Sequence, residues 1–319
     1  MHFKSVQYAS PQGGIKLMVT GAVHGNEVCG TKAILRLMAQ FESGELELVQ
    51  GSVTFVPITN PLAYEKQQRM GDRNLNRNLY PRADPQDFED RIANWLCPLL
   101  ADHDVLLDLH SFHTGGVPFA LVGPLDNAHR LEPFKFAREE EAMARALGVT
   151  RFVDGWLDTY AKGVKNRMQR QAKGDLSVDD ISADIKYGVG TTEYMRENGG
   201  YAITLECGQH EDPQAPDVAY NAILNTLAHL GMIQGRTVTY MTGAEALSLC
   251  EVIDKDSPGD QFVKVWKSFD EVLKGDVVGH RESGEAVCAP FDGLIVFPNP
   301  NAKPGQEWFY MARRTNRFD

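Results

Sequence analysis

The chain has 319 residues, 43% hydrophobic and 24% charged, with a formal net charge of −11, the composition of an ordinary globular protein. So anionic a surface repels a phosphate backbone and an anionic lipid face, so neither nucleic acid nor membrane is expected as a partner. The five cysteines (Cys29, Cys97, Cys207, Cys250, Cys288) are odd in number and form no CxxC, which favours reduced thiols and a cytoplasmic setting over a disulfide framework.

The opening residues, MHFKSVQYASPQGG, lack the apolar stretch of a secretory signal, and no apolar run approaches a membrane span. Ile15 to Thr20 (IKLMVT) reads as a short strand. From Val28 the period turns helical, with Ile34, Leu37, Met38 and Phe41 on one face. SVTFVPIT (Ser52 to Thr59) is a second strand, ended by Asn60-Pro61. Ile92, Trp95, Leu96 and Leu99 mark another helix, and DVLLDLH (Asp104 to His110) a fully buried strand. PFALVG (Pro118 to Gly123) is a strand, and Phe136 to Leu147 a helix closed by Gly148. Trp156 to Gly200 is polar, bears glycines and has weak periodicity, so a long irregular excursion over the strand ends is expected. YAITLECG (Tyr201 to Gly208) is a strand, and Ala219, Ala222, Ile223, Leu227 and Leu230 line a helix closed by Gly231.

Strands alternating with helices predict an α/β fold, a mostly parallel mixed sheet covered by helices on both faces. Beyond about Gly235 short strands take over, punctuated by Gly, Pro and Asp. Two domains are therefore expected, 1–235 as the catalytic unit and 236–319 as a small β-barrel- or sandwich-like unit. In open α/β sheets ligands bind beyond the carboxyl ends of the strands, and three suspicious residues sit there: His24, His110 and Glu206.

In TGAVHGNEVCG (Thr20 to Gly30), His24 and Glu27 are three residues apart in a turn between strand and helix. HxxE with a distant His110 matches the His2Glu set of catalytic zinc sites, which leave a position for water. The plain alternative is a histidine satisfying a turn and a glutamate in a helix's first turn, where the dipole favours a carboxylate. Gly25 would allow the tight turn that points both side chains at one ion. Asp108, two residues before His110, shares its sheet face and would orient the imidazole, or else cap a loop. Glu206 is the candidate general base, with a salt-bridged strand-end glutamate as the alternative. EKQQRMGDRNLNRNLYPR (Glu65 to Arg82) holds five basic residues against two acids, in a chain of net −11. Arginine forks with directional asparagine amides suit a substrate carboxylate better than a merely solvated loop would.

GAVHGNE, RNLNR, DLH and LECG, in that order over residues 17–231, resemble the succinylglutamate desuccinylase/aspartoacylase family of the zinc-carboxypeptidase-like superfamily. The resemblance implies one zinc ion (Zn2+) per chain on His24, Glu27 and His110, with Glu206 as general base and acid. It implies that Asn76 and Arg77 bind the α-carboxylate of an N-acyl amino acid, that Arg69 polarises the scissile carbonyl, and that Arg196 binds a second carboxylate. Two positions depart from the family pattern: Asn74 stands where an Asp is usual, and Thr192 where aspartoacylases carry a substrate-binding tyrosine, with Tyr194 close by. The tail AVCAPFDGLIVFPNP (Ala286 to Pro300) resembles a lipoyl- or biotinyl-type β-sandwich. No lysine sits at its hairpin, so no covalent cofactor is expected there; it would narrow the mouth of the site. His113 is a candidate pocket residue, whereas His2, His103, His129, His210, His229 and His280 are read as surface or structural.

The expected function is a zinc-dependent amidohydrolase, a deacylase acting on a small anionic N-acyl amino acid; a homo-oligomer is compatible with it. Its rivals are a zinc carboxypeptidase on short peptides and a zinc-free protein that binds an anionic metabolite.

Overall fold

Apolar strands alternating with amphipathic helices give the layered α/β arrangement in the computed structural model, which describes residues 2–172 and 184–319. The first half holds β1 (Val6–Ala9), β2 (Lys16–Gly21), α1 (Cys29–Ser43), β3 (Ser52–Val56), α2 (Pro61–Lys66), α3 (Phe88–Ala101), β4 (Val105–Phe112), β5 (Phe119–Leu121), α4 (Ala137–Ala146) and β6 (Arg151–Asp154). Then come α5 (Trp156–Ala172), α6 (Thr191–Glu197), β7 (Tyr201–Gln209), α7 (Ala215–His229) and β8 (Glu245–Asp254). The chain closes with β9 (Gln261–Phe262), β10 (Glu271–Val272), β11 (Val277–His280), β12 (Ala286–Cys288), β13 (Gly293–Val296) and β14 (Glu307–Thr315). Among the described residues, no helix is long and apolar enough to cross a membrane.

Eleven strands form one sheet in the order β1-β3-β2-β4-β7-β5-β6-β8-β14-β13-β10, and β12-β11-β9 a smaller one. β4 lies between β2 and β7, parallel to both, and all eight of its residues are buried. Side chains alternate across the sheet. On one face Leu17, Val19, Leu107, Ile203 and Leu205 pack under Ile34 and Leu37 of α1 and Ile223 and Leu227 of α7. On the other, Met18, Leu106 and Ala202 pack under Ile92 and Leu96 of α3 and Met195 of α6. Each fully buried aliphatic of this kind stabilises the fold by roughly 1.5–3 kcal/mol.

That second face changes character along the strands. Met18 gives way to Thr20, Leu106 to Asp108 and His110, and Ala202 to Thr204 and Glu206, all within 7% of full burial. The first face stays apolar as far as Leu109 and Cys207. Polar side chains are thus gathered on one face at the carboxyl edge of three adjacent strands.

The stretch from Trp156 corrects the expected irregular excursion. It contains α5, whose buried stripe is Leu157, Tyr160, Ala161, Val164 and Arg167, and α6. The spacing is helical, but tyrosine, alanine and a buried arginine carry it, which weakens the apolar signal. Residues 173–183 fall outside the described residues. β8 begins at Glu245, later than the apolar pattern from residue 236 suggests, and pairs in parallel with β6. β14, β13 and β10 therefore extend the main sheet.

Candidate active site

β2 ends at Gly21, and the chain turns back before α1 with Glu27 N donating to the His24 carbonyl at 3.1 Å. Glu27 thus lies in the turn, ahead of the helix. Gly25 is required here by proximity: a Cβ on it would lie 1.9 Å from the Ala63 carbonyl carbon in α2. Its backbone is not left-handed, so close approach to α2, rather than an unusual turn, excludes a side chain. The parallel pairing of β4 with β7 sets His110 directly beside Glu206.

These constraints bring His24, Glu27 and His110 together, all buried, with one ligand atom of each within 4.8 Å of the others. His24 Nδ1 is 2.8 Å from Glu27 Oε1, and His110 Nδ1 is 2.9 Å from Glu27 Oε2. Behind the imidazoles, His24 Nε2 meets Asn74 Oδ1 at 3.0 Å and His110 Nε2 meets Asp108 Oδ2 at 2.9 Å. Asn74 Oδ1 also accepts from Asn76 N, and Asp108 accepts from Thr20 Oγ1 and Thr191 Oγ1. Every nitrogen of both rings therefore faces an oxygen acceptor. A neutral imidazole has one N–H and cannot satisfy two acceptors, whereas an imidazolium donates from both nitrogens. A cation on the two Nδ1 atoms and the Glu27 carboxylate satisfies both rings, each donating its Nε2–H outward, as metal-binding histidines usually do. The donor set therefore fits a metal, and two imidazoles with one carboxylate is a zinc-type set.

The charges agree. Burial pushes Glu27 up, but the two imidazoles outweigh it and hold the carboxyl well below the usual range. Burial lowers His110, yet Asp108 and Glu27 raise it well above an ordinary histidine. His24 falls to about 4, through burial and then Arg69, against the pull of Glu27.

Glu206 is buried and its Oε2 has no hydrogen-bond partner. Burial pushes its carboxyl up to about 8, with His110 opposing and Glu27 reinforcing. Arg69 has its side chain half exposed and donates from Nη1 to Glu27 Oε1 at 3.0 Å. All of these residues line one cavity of about 870 Å³. Its walls also carry Asn76 and Arg77 from the basic island, Trp156, Tyr160 and Arg167 from α5, and Phe297, Glu307 and Tyr310 from the C-terminal strands.

Asn76 Oδ1 accepts from Thr191 N at 2.9 Å, which fixes the amide. Arg77 donates to its neighbour's carbonyl, Asn76 O, at 2.8 Å, and its guanidinium lies 4.8 Å from the Trp156 ring and 5.0 Å from Tyr160. Arg196 departs from its expected place as a substrate ligand. Its Nε and Nη2 donate to Glu140, Nη1 to Glu132 at 2.7 Å, and Nη2 also to the Ala202 carbonyl at 2.6 Å. The guanidinium is committed to protein oxygens and cannot also clamp a ligand carboxylate.

Several residues of the site escape sequence reading. Asn74, a departure from the family pattern, anchors His24. His210, read as surface or structural, lines the cavity: its Nδ1 is 2.8 Å from Ser111 Oγ and its Nε2 3.3 Å from Asn26 Nδ2. Its position just past β7 obeys the same strand-end rule that singled out His110. His113 also lines the cavity, with Nε2 at 3.1 Å from the Pro298 carbonyl. His103 is structural, bridging the Leu99 carbonyl and Thr54 Oγ1.

The catalytic-domain profile of the succinylglutamate desuccinylase/aspartoacylase family matches residues 13–147. A probable aspartoacylase of Prochlorococcus marinus subsp. pastoris (strain CCMP1986 / NIES-2087 / MED4) is 33% identical over 101 residues, 30% of this chain. The match spans 33% of that relative's length. A succinylglutamate desuccinylase/aspartoacylase structure from Rhodobacter sphaeroides superposes with a TM-score of 0.70 at 19% identity, covering 96% of this chain and 87% of its own. The product-bound ectoine utilization protein EutE (DoeB) from Ruegeria pomeroyi gives 0.70 at 21%, covering 97% and 88%. An aspartoacylase family protein from Mesorhizobium loti maff303099 gives 0.64 at 22%, covering 98% and 89%. At these identities the structures share a fold with this chain.

Proposed function

Because the chain belongs, through residues 13–147, to the succinylglutamate desuccinylase/aspartoacylase family, we propose that it is a zinc-dependent deacylase that hydrolyses the amide bond of a small N-acyl amino acid. The observation that carries the reading is the pair of imidazoles whose four nitrogens all face acceptors around one buried carboxylate. His24, Glu27 and His110 would hold the ion. Zinc supplies Lewis acidity there, polarising an acyl carbonyl and acidifying water.

The protein's own groups carry the rest. Glu206, beside His110 and with a free carboxylate oxygen, accepts a proton from the attacking water and returns it to the leaving amine nitrogen. Arg69 stabilises negative charge on the acyl oxygen as the carbonyl is attacked. The fixed Asn76 amide and Arg77 orient the α-carboxylate of the substrate. Arg196 is given no substrate contact, because its donors are taken.

The test is a hydrolysis screen of the zinc-loaded protein over N-acetyl, N-succinyl and longer N-acyl amino acids, with dipeptides alongside. Release of free amino acid from N-acyl substrates, faster than from dipeptides, is expected. Faster dipeptide cleavage would make it a carboxypeptidase, and binding without turnover an anionic-metabolite carrier.

A further inference from the structure

Two of the arginines lining the cavity, Arg77 and Arg196, are held in contrasting ways. Arg77 forms no ion pair within 4.0 Å among the described residues; it lines the cavity beside the Trp156 and Tyr160 rings, with Glu307 the acid that acts on it from further off. Arg196 faces three carboxylates. Glu140, itself fully buried, takes its Nε and one Nη2 contact, and Glu132 takes Nη1. Glu193 Oε1 lies 3.7 Å from the same Nη1. With the Ala202 carbonyl on Nη2, at most one of the five guanidinium N–H groups is left, and Glu193 stands next to it. Gly123 and Phe134 stand close to the same guanidinium. A Cβ on Gly123 would lie 2.5 Å from Arg196 Nε, and the Phe134 ring sits 5.5 Å from the guanidinium carbon.

Arg196, Glu132, Glu193, Thr192 and Thr204 line the same cavity as Glu206. Thr204 is two residues before Glu206 on the same face of β7, and Ala202, whose carbonyl Arg196 holds, two residues earlier again. This arm of the cavity therefore runs from the reacting centre along the strand. Its cation is already matched by Glu140, Glu132 and Glu193, so the arm around it offers a second carboxylate no free positive charge, and Arg130, also in the lining, lies 4.0 Å from Asp158. Thr192 is small and its hydroxyl donates to Glu193 Oε1 at 3.0 Å, so it leaves the arm open without adding a positive group.

We propose that the substrate carries one carboxylate only, held at Arg77, and that Glu132 and Glu193 exclude a second one by cancelling Arg196. The enzyme then prefers N-acyl amino acids whose side chain and acyl group are uncharged or cationic, and rejects N-acyl dicarboxylates. This rests on the deacylase reading above and specifies its substrate class.

Pairs of substrates that differ by one carboxylate test it. The zinc-loaded enzyme is assayed on N-acetylglutamine against N-acetylglutamate, N-acetylasparagine against N-acetylaspartate, and N-butyryl against N-succinyl derivatives of one amino acid. The amide or butyryl member is expected to have kcat/KM at least tenfold higher in each pair. Equal or higher values for the dicarboxylates overturn the proposal. Glu132→Gln removes one anion while keeping an acceptor for Arg196, and should shrink the ratio severalfold; an unchanged ratio overturns the part given to Glu132. If that variant does not fold, the wild-type ratios decide alone. If no N-acyl amino acid is turned over, the deacylase reading fails separately. Calorimetric binding of glutamine and glutamate to the zinc-loaded chain then decides the arm: tighter glutamine supports it, while equal or tighter glutamate, or binding of neither, overturns it.

Discussion

Each histidine of the candidate metal triad depends on what stands behind it. Asp108 is fully buried, bonds His110 Nε2 and is itself fixed by Thr20 and Thr191. Asp108→Asn keeps the shape but loses the charge that makes the imidazole a strong donor, so zinc affinity should fall about 10–100-fold, read by chelator competition. An unchanged affinity would show that Asp108 serves only the fold. Glu132 gives a pH prediction. Burial pushes its carboxyl up to about 7, Arg196 opposing and Glu193 adding to the rise. A carboxyl whose folded pKa exceeds its unfolded value of about 4.3 binds its proton more tightly in the folded chain. Its contribution to stability is complete below that unfolded value and is lost as pH rises through about 7. Glu132→Gln lacks this loss, so its Tm relative to wild type should climb between pH 5 and pH 8. A difference that stays flat with pH would contradict the shift.

At the scale of elements, most of the site was legible. The end of DVLLDLH and the strand position of YAITLE placed His110 and Glu206 at carboxyl ends, and the sheet register sets them side by side. What strand periodicity alone hides is the change from apolar to polar on one face of β2, β4 and β7, since it emerges only when the three strands are aligned. α5 escaped because Tyr160 and Arg167 occupy its buried stripe, and a pattern weighted by apolar residues passes over them. Asn74 was noticed only as a departure, because its partner His24 is 50 residues away. Gly25 was read as a turn residue, whereas its need for no side chain comes from α2 packing against the loop. Gly25→Ala must push the metal loop and α2 apart. A loss of roughly 1–3 kcal/mol in urea unfolding is expected, together with weaker zinc binding. An unchanged midpoint would mean that the loop moves freely away from Ala63.

Taken whole, the chain builds its chemistry and its selectivity from different parts. Residues 13–147, the stretch matching the family profile, hold the candidate metal triad, Arg69, Asn76 and Arg77. The rest of the cavity wall comes from α5, α6, β7 and the C-terminal strands, with Phe297, Glu307 and Tyr310 among its lining. β8 pairs with β6 and carries β14, β13 and β10 beyond it. A chain ended after residue 235 would bare the β6 edge and the apolar side chains of Phe119 and Val153 that pack on Leu247 and Tyr310. Such a truncation should partition into the insoluble fraction on expression, and recovery of a soluble, zinc-binding fragment would contradict that dependence. The most direct test of the deacylase assignment measures zinc content and turnover of Glu206→Gln beside wild type. One zinc per chain in both proteins, with kcat lowered at least about 100-fold in the variant, is the expected result. Near-normal turnover by the variant, or a wild-type chain that hydrolyses N-acyl amino acids without binding zinc, would contradict it.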